Sequence, residues 1–401
     1  MSTSHNSLPL DGITVIELGH IVAGPAASLI LADLGAEVIK VEHPDGGDQA
    51  RKAGFGFYNY NRNKRSIALD LKTPRGKEVF MTLVRTADVC LDNFAPGALD
   101  RLGFDYETLA KDNPKLIYLA VKGFLPGPYE HRPSLDELAQ MMGGLAFMTG
   151  PTGKPMRAGA SIIDIGAATY GVVGVLAALF KRTMTGRGEK ITSGLYETTV
   201  FWVGQWMARA AMTGMPSTPM SEIGQSVRMG WGVFHLFDCA DKTQVFIGIT
   251  SNPHWDRFCK EFGLAELLAD ARLDSNQKRV DSQEWMLPAL RAAVINYTSD
   301  TLQEKLEKAS VPYAPVKRPD ELVDDPHLIA TGQLLPVPMA QGKIGHLPKL
   351  PYHTTAYDFT IRRPPPGLGA NSREILKEAG VSEADIEALI ADKIVVQLDK
   401  E

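Results

Sequence analysis

Residues 13–42, ITVIELGHIVAGPAASLILADLGAEVIKVE, decide the fold. Residues 13–17 are mostly apolar and β-branched and predict a strand, and residues 26–34 predict a helix that ends at Gly35. Residues 37–42 repeat the strand pattern. A strand, a helix and a second strand in this order predict a βαβ unit, in which the two strands lie parallel in one sheet.

The same alternation continues to about residue 125. Thr73, a preferred capping residue, is followed by Pro74 and marks the start of a helix. Other predicted elements are strands at 66–71, 87–91 and 116–121 and a short helix at 105–111. The chain is therefore predicted to have an α/β fold with a Rossmann-like, mainly parallel sheet. The first turn contains Gly19 and Gly24 without the GxGxxG fingerprint, so a nicotinamide dinucleotide is not the expected ligand.

Residues 230–312 have a strand and helix pattern of their own. A strand is predicted at 245–249, and amphipathic helices are predicted at 255–262 and 302–309. This region could therefore form a smaller domain. Near the end of the chain, charged helices are predicted at 372–380 and 383–392.

The composition is that of a soluble globular protein. Hydrophobic residues make up 44% of the 401 positions and charged residues 22%, and the net charge of −5 provides no general field for nucleic acid. The polar N-terminus carries no apolar signal segment, so we expect a cytoplasmic protein. Three widely spaced cysteines, Cys90, Cys239 and Cys259, predict a reducing compartment without disulfides. The nine histidines show no metal-binding spacing, and no metal ion is expected.

Asp164 is the only acidic residue in a run of small and apolar residues, 159–180. Burying an ionised carboxylate costs several kcal/mol unless partners or function compensate. One interpretation makes Asp164 the N-cap of the helix that follows, and the other makes it a chemically active group; the two roles are compatible. The uncharged run from Asp164 to Lys181 is shorter than the roughly 20 residues that span a bilayer, so it predicts a closely packed, buried helix and no membrane association.

Basic and polar residues follow several predicted strands. They are His43, Lys72, Asn93, Arg101 and Lys122. Because the carboxyl ends of parallel strands meet at one edge of a sheet, these side chains are candidates for binding a phosphorylated ligand there. The alternative is that they are ordinary solvated surface charges.

The chain resembles the class III CoA-transferases, the family that includes formyl-CoA transferase and carnitine CoA-transferase, over nearly its whole length. The segments that carry the resemblance are 10–18, 23–25, 31–42, 47–48, 63–72, 92–97, 99–103, 121–124, 185–188, 311–315, 325–327 and 368–376. In that family an Asp before a Gly/Ala-rich helix is the nucleophile, and Asp164 occupies this place. The resemblance therefore implies an enzyme that forms an aspartyl anhydride and an aspartyl-CoA thioester on Asp164, with no permanently bound cofactor and coenzyme A thioesters as substrates.

The resemblance also implies which residues line the nucleotide and pantetheine of CoA. They are Val22, His43, Leu69, Lys72, Asn93, Phe94, Ala95, Arg101 and Lys122. His43 stands where formyl-CoA transferase has an arginine. Formyl-CoA transferase has a glycine run in a loop over its acyl site, and the matching stretch here keeps only Gly224 and Gln225. Oxalate is therefore a less secure acceptor for this chain.

Two other functions remain open at this point. An α-methylacyl-CoA racemase shares the fold, but racemases place a His directly before the Asp equivalent to Asp136, and this chain has Leu135. A non-catalytic CoA-binding subunit is the second alternative. The presence of Asp164 together with the CoA-lining set favours the transferase over both.

The family arrangement implies a large domain built from residues 1–200 and 320–401, a linker at 201–224 and a small domain at 225–319. It also implies a homodimer of two interlocked, ring-shaped subunits. Family habit favours a short dicarboxylic acid as the acceptor, such as succinate, oxalate or a C5 acid. Arginines that could bind such a carboxylate are Arg157, Arg209 and Arg228.

Overall fold

The computed structural model describes residues 8–222 and 230–398. Its main sheet has seven strands in the order β12-β3-β2-β1-β4-β5-β6. The strands of the chain are β1 (Thr14–Glu17), β2 (Glu37–Glu42), β3 (Lys64–Leu69), β4 (Val89–Asp92), β5 (Ile117–Lys122), β6 (Lys190–Gly194), β7 (Val233–Asp238), β8 (Gln244–Ile249), β9 (Tyr313–Pro315), β10 (Leu334–Pro338), β11 (Ile344–Pro348) and β12 (Val395–Val396). β1 to β6 pair in parallel, and β12 adds an antiparallel edge next to β3.

Helices connect these strands. They are α1 (Ala23–Asp33), α2 (Ala50–Ala53), α3 (Phe55–Tyr60), α4 (Pro74–Thr86), α5 (Ala98–Leu102), α6 (Tyr106–Asp112), α7 (Asp136–Met142), α8 (Leu145–Thr149), α9 (Ile162–Thr185), α10 (Leu195–Thr213), α11 (Asn252–Glu261), α12 (Ala265–Ala269), α13 (Asn276–Asp281), α14 (Gln283–Val294), α15 (Ser299–Lys308), α16 (Pro326–Ala330), α17 (Ser372–Glu378) and α18 (Glu383–Ala391). Short 3₁₀ turns occur at Met220–Glu222, Pro319–Asp324 and Ala340–Gly342.

The predicted βαβ unit and the parallel sheet are confirmed. The strand predicted at 37–42 coincides with β2, whereas the one predicted at 66–71 begins two residues earlier, at Lys64. α4 begins as predicted, because the Thr73 hydroxyl accepts a hydrogen bond from the backbone N–H of Gly76 and Pro74 occupies the first turn. α1 begins at Ala23, three residues before the predicted start. β12 was not predicted, since a strand of two residues has no detectable period.

The chain divides into two compact units. The sheet unit comprises Met1–Ala146, Arg157–Met215 and His327–Glu401. The small unit comprises Phe147–Met156 and Pro216–Pro326. The small unit contains an antiparallel sheet in the order β7-β8-β9, and the strand predicted at 245–249 is its central strand β8. Its core contains Phe237, Trp255 and Phe258, each at most 2% exposed.

The strand order 3-2-1-4-5-6 within the main sheet is that of a Rossmann fold. From β1, successive strands are added on one side up to β3 and then on the other side from β4 to β6. The order therefore switches sides between β1 and β4, which are paired parallel neighbours. In open α/β sheets, ligands bind outside the carboxyl ends of the strands at such a switch point. The turn from β1 to α1 and the residues that follow β4 lie at this place.

The predicted buried helix is α9, and it packs against α1, β5 and β6. Its approach to the sheet is close, because a side chain at Gly171 would lie 2.9 Å from Leu119 of β5. By length and composition α9 is also the one helix in the described part of the chain that could cross a membrane, with a mean hydropathy of 1.9. Half of its apolar window is buried inside the protein.

Candidate active site

Asp164 is the third residue of α9, which begins at Ile162. The interpretation of Asp164 as the N-cap is therefore wrong: the capping position is Ser161, and its side chain makes no capping hydrogen bond. The Asp164 side chain is only partly exposed. Since α9 begins at the carboxyl edge of the sheet, as helices that follow parallel strands do, its first turn lies at the ligand-binding edge.

A second carboxylate takes over the capping role. Asp136, at the start of α7 and 3% exposed, accepts hydrogen bonds from the backbone N–H groups of Ile163 at 2.8 Å and Asp164 at 3.1 Å. Its other oxygen accepts from the amide of Gln140, whose own oxygen accepts from the backbone N–H of Ala158 at 2.8 Å. Asp136 thus ties the first turn of α9 and the segment before it to α7. We name Asp136 and Asp164 the acid pair.

The acid pair has unusual electrostatics. Burial, together with the negative charges of Asp136 and Glu137, raises the pKa of the Asp164 carboxyl to about 7. Within residues 8–222 and 230–398, no lysine or arginine lies within ion-pair distance of Asp164. A carboxylate with a raised pKa at a ligand-binding edge is a candidate nucleophile or base.

Tyr60, the last residue of α3, was not identified from the sequence. Its half-buried ring packs against the core that contains Ile163 and Ala167 of α9. Burial raises the pKa of its phenol, and the negative charge of Asp164 contributes to the rise. The two groups therefore interact electrostatically. No sequence signal distinguishes Tyr60 from the other tyrosines of its segment.

The residues that follow β1 and β4 are joined across the switch point. The Asn93 side chain accepts a hydrogen bond from the backbone N–H of His20 at 2.9 Å and donates one to the His20 carbonyl at 3.0 Å. The Phe94 ring meets the His20 imidazole edge-on, with 5.2 Å between ring centres. The turn after β1 and the segment after β4 are thus in contact, and Val22, in this turn, is partly exposed.

The predicted cations occupy different environments. His43, Lys72 and Arg101 are exposed, and the His43 Nδ1 accepts a hydrogen bond from the backbone N–H of Asp45 at 3.1 Å. The Lys122 ammonium is instead held inside the sheet unit, paired with the buried carboxylate of Asp92 and donating to the Phe94 carbonyl at 2.9 Å. Lys122 therefore fixes the segment after β4, in addition to any ligand contact.

Three further predictions meet different outcomes. The Leu69 side chain is 1% exposed in the core, whereas Ala95 is exposed. Arg157 is paired with Glu137 at 2.9 Å. Gly224, Gln225 and Arg228 lie outside the described residues. Within the described ranges, no group of three or more His, Cys, Asp and Glu side chains is arranged to hold a metal ion.

Comparison with known proteins gives a consistent result. Residues 10–372 match the model of CoA-transferase family III. The chain is 33% identical to the succinyl-CoA–D-citramalate CoA-transferase of Chloroflexus aurantiacus, over 98% of this chain and 100% of that protein. It is 31% identical to the succinyl-CoA:glutarate CoA-transferase of Mus musculus, over 97% and 91%. It is also 33% identical to the acetyl-CoA:oxalate CoA-transferase of Acetobacter aceti, over 94% and 97%.

A solved structure agrees with these relatives. A CAIB/BAIF family protein from Brucella suis superimposes with a TM-score of 0.83 at 30% identity, covering 93% of this chain and 100% of that one. The chain therefore belongs to CoA-transferase family III, and it is an enzyme of the transferase class.

Proposed function

We propose that this enzyme transfers CoA from an acyl-CoA donor to a short dicarboxylic acid, with Asp164 as the covalent nucleophile. The observation that carries the proposal is the environment of the Asp164 carboxylate. It lies in the first turn of α9, at the ligand-binding edge of the sheet, partly exposed and without a cation beside it among residues 8–222 and 230–398. A carboxylate without a counter-charge keeps its electron pairs available for attack on a thioester carbonyl.

The reaction proceeds in four balanced steps. The Asp164 carboxylate attacks the donor thioester, which gives a mixed anhydride and a CoA thiolate. The thiolate attacks the Asp164 carbonyl, releases the donor acid and leaves an aspartyl-CoA thioester. The acceptor carboxylate attacks this thioester, which gives a second anhydride and again frees the thiolate. Attack of the thiolate on the acceptor carbonyl then forms the new acyl-CoA and regenerates Asp164.

Two features of the site support these steps. An anhydride must be kept from water. Next to Asp164 on α9, Ile163 and Ala167 belong to an apolar core against which the Tyr60 ring packs. Each attack builds negative charge on a carbonyl oxygen, and backbone N–H groups of residues 159–161, just before α9, or of the Gly224-Gln225 loop would stabilise it.

We infer that CoA binds along the carboxyl edge of the sheet. The exposed Lys72 and Arg101 provide positive charge for its phosphates, and His43 provides a further polar contact. Val22, Asn93 and Phe94, at the switch point, provide the surface for pantetheine. The proposed CoA-lining set is completed by Leu69, Ala95 and Lys122.

The acceptor is proposed to be a short dicarboxylic acid, such as succinate, oxalate or a C5 acid. The printed names of the relatives support this, since they act on D-citramalate, glutarate and oxalate. Arg157 is paired with Glu137 across the first turn of α7, so a second carboxylate of the acceptor would compete with that glutamate for it.

We further propose that two copies of the chain form an interlocked homodimer, with large and small domains at the bounds expected from the family. Long apolar side chains on α9 and α10 are exposed in the single chain, and a partner subunit would cover them. They include Val173, Phe180, Met184, Phe201, Met207 and Met212, which are 57% to 87% exposed. A cytoplasmic location is also proposed, supported by three cysteines that are free and buried.

The decisive experiment combines exchange with trapping. Succinyl-CoA, acetyl-CoA and formyl-CoA are incubated with oxalate, glutarate and citramalate, and new CoA thioesters are followed by mass spectrometry. Asp164→Asn and Asp164→Ala should lower the exchange rate at least about 10³-fold, because no nucleophile remains. The exposed Asp45, changed to Asn, is the matched control and should retain the wild-type rate. Hydroxylamine added to the wild type and donor should convert Asp164 to its hydroxamate, detected in the peptide map.

Exchange that survives in both Asp164 variants would overturn the assignment of the nucleophile. The racemase makes a different prediction: solvent deuterium would enter the α carbon of an α-methylacyl-CoA, and no acid would be exchanged. A protein that binds CoA with neither reaction would be the non-catalytic subunit.

A further inference from the structure

We propose that Asp48 and Lys40 are positioning residues that hold the turn from β1 to α1 in the shape that binds acyl-CoA. The turn, residues 18–22, contains no catalytic group. Its place at the switch point makes it one wall of the CoA site in the proposed function, on which this inference rests. The argument comes from four buried charged residues behind the turn, Glu17, Lys40, Asp48 and Lys64, which we name the buried charge cluster.

Lys40 connects the cluster to the start of the turn. Its side chain is fully buried in β2, and its ammonium donates hydrogen bonds to Glu17 at 2.7 Å and to the Gly19 carbonyl at 2.8 Å. It also forms an ion pair with Asp48 at 2.9 Å, and the Asp48 oxygen of this pair accepts no hydrogen bond from the described residues. The Gly19 carbonyl is therefore held in one orientation by a cation that cannot exchange it for water.

Asp48 holds the strained residue of the turn. Ile21 has a φ of 67°, in the left-handed region that β-branched residues strongly disfavour. One oxygen of the Asp48 carboxylate accepts from the backbone N–H groups of Ile21 and Ala50, each at 2.9 Å. The other oxygen is paired with Lys40. Since the Ile21 side chain is 44% exposed, packing does not enforce its conformation, and the buried hydrogen bond does.

Glu17 and Lys64 extend the same support to the start of α1. The Lys64 ammonium has three hydrogen-bond acceptors, namely Glu17 at 2.9 Å, Asn61 at 2.9 Å and the Pro25 carbonyl at 3.0 Å. Ser28 of α1 donates to Glu17 at 2.7 Å. The cluster thus contacts the chain at residues 19, 21 and 25, before and after Val22.

The support from β4 is on the other side of the turn, where Asn93 makes its two hydrogen bonds to His20. A side chain at Gly24 would lie 2.7 Å from the Asn93 amide oxygen, so α1 and Asn93 are in close contact. The turn therefore has little freedom, although it is at the surface. A rigid wall binds a ligand with less loss of conformational entropy, and loosening it weakens binding more than it slows the chemistry.

The test measures acyl-CoA binding and turnover separately. Asp48→Ala should raise KM for acyl-CoA, and Kd for CoA in calorimetry, about tenfold, while kcat stays within about twofold. Asp45→Ala removes the same charge from an exposed position in the same loop and should change neither constant. A residue that only stabilised the fold would lower the active fraction and leave KM unchanged.

Rescue provides the sharpest evidence. Gly adopts a positive φ without strain, so Ile21→Gly in the Asp48→Ala background should recover about half of the lost affinity, measured as log Kd. If Asp48→Ala does not fold, Asp48→Asn and Lys40→Met replace it in the same measurements. Asp48→Asn keeps a side-chain oxygen that can accept hydrogen bonds, and Lys40→Met leaves the Asp48 carboxylate in place. A raised KM for acyl-CoA in these variants supports the proposal.

A folded Asp48→Ala enzyme with wild-type KM and Kd would overturn the inference, and so would failure of Ile21→Gly to recover any affinity. The proposed function fails by a different result, the absence of Asp164-dependent transfer in the wild type. Because CoA binding is measured by calorimetry without turnover, the inference is decided even then.

Discussion

The sheet unit buries carboxylates in two places at the same edge of its sheet and treats them in opposite ways. In the buried charge cluster, two carboxylates face two lysines: the Lys64 ammonium has three hydrogen-bond acceptors, and the Lys40 ammonium has two and an ion pair with Asp48. The charges of Lys40 and Lys64 outweigh the effect of burial and hold the pKa of Glu17 below its usual value. In the acid pair, neither Asp136 nor Asp164 is paired with a lysine or arginine of the described residues, and the pKa of Asp164 is raised to about 7.

This difference supports the two roles proposed above. In the buried charge cluster the carboxylates face lysines, and the contacts to Gly19, Ile21 and Pro25 suit it to fixing the backbone of the turn. The acid pair is electrostatically unfavourable, and perturbed carboxylates of this kind are concentrated at functional sites. We therefore infer that the pairing of buried charges, more than burial itself, separates the proposed positioning residues from the proposed nucleophile.

The largest expected effect is on the compensated cluster. Lys64→Met removes one cation from two buried carboxylates and should lower the free energy of unfolding of the protein by about 3–5 kcal/mol, since the remaining charges are uncompensated. Urea denaturation followed by circular dichroism measures it. Lys72→Met, on an exposed lysine three residues beyond β3, is the matched control and should stay within about 0.5 kcal/mol of the wild type. Equal stabilities for the two variants would remove the distinction between the regions.

The acid pair should respond with the opposite sign. The Asp164 carboxyl has a pKa raised from 3.8 to about 7. Its ionisation in the folded state therefore lowers the free energy of unfolding, and the loss develops as pH rises through this range. Asp164→Asn removes the cost and should stabilise the protein by up to about 4 kcal/mol at pH 8, and by less than half of that at pH 5. Urea denaturation at both pH values measures it.

The control for this prediction is Asp45→Asn, on an exposed aspartate, which should change stability at neither pH. If Asp164→Asn destabilised the protein at pH 8, the acid pair would have a compensating partner. The two regions would then be electrostatically alike.

The smallest expected effect is a shift in the pH profile. If Asp164 attacks as a carboxylate, as proposed, kcat/KM should fall about tenfold for each pH unit below about 7 and level off above it. Asp136→Asn removes the nearer negative charge and should move this limb to lower pH. Activity at pH 6, relative to the variant's own plateau, should rise several-fold.

Comparison with each enzyme's own plateau separates the electrostatic effect from any loss of the hydrogen bonds that Asp136 accepts. A limb that keeps its position in Asp136→Asn would show that burial alone sets the pKa of Asp164. Gln140→Leu, which leaves the charge of Asp136 in place, is the matched variant and should keep the wild-type limb.

Local patterns predicted the elements of the fold well where a run of β-branched residues was several positions long or where a capping residue marked the boundary. The strand at 37–42 and the helix start at Thr73 are confirmed, because β-branched runs and a capping residue act within a few positions. The start of α1 at Ala23 was missed, since Gly24 and Pro25 do not look helical. Lys40 and Lys64, inside strands, gave no sign that both would be buried.

The candidate site was predicted in part. Asp164 was identified from its isolation in an apolar run and from the family resemblance, but its role as an N-cap was wrong. That Asp136 would bind the backbone of residues 163 and 164 was not predictable, because its carboxylate reaches that backbone only after α7 and α9 pack together. Tyr60 was missed for the same reason.

The sequence by itself determined the α/β class, the parallel sheet and the family, and it pointed to Asp164 as the proposed nucleophile, because these follow from periodicity and from residue types in fixed order. Only the tertiary structure decided which buried charges are paired. Charge interaction depends on distance and on exclusion of water, and both are properties of packing between segments far apart in the chain. For that reason, the same chemical group, a carboxylate, is proposed to support the backbone in the buried charge cluster and to react in the acid pair.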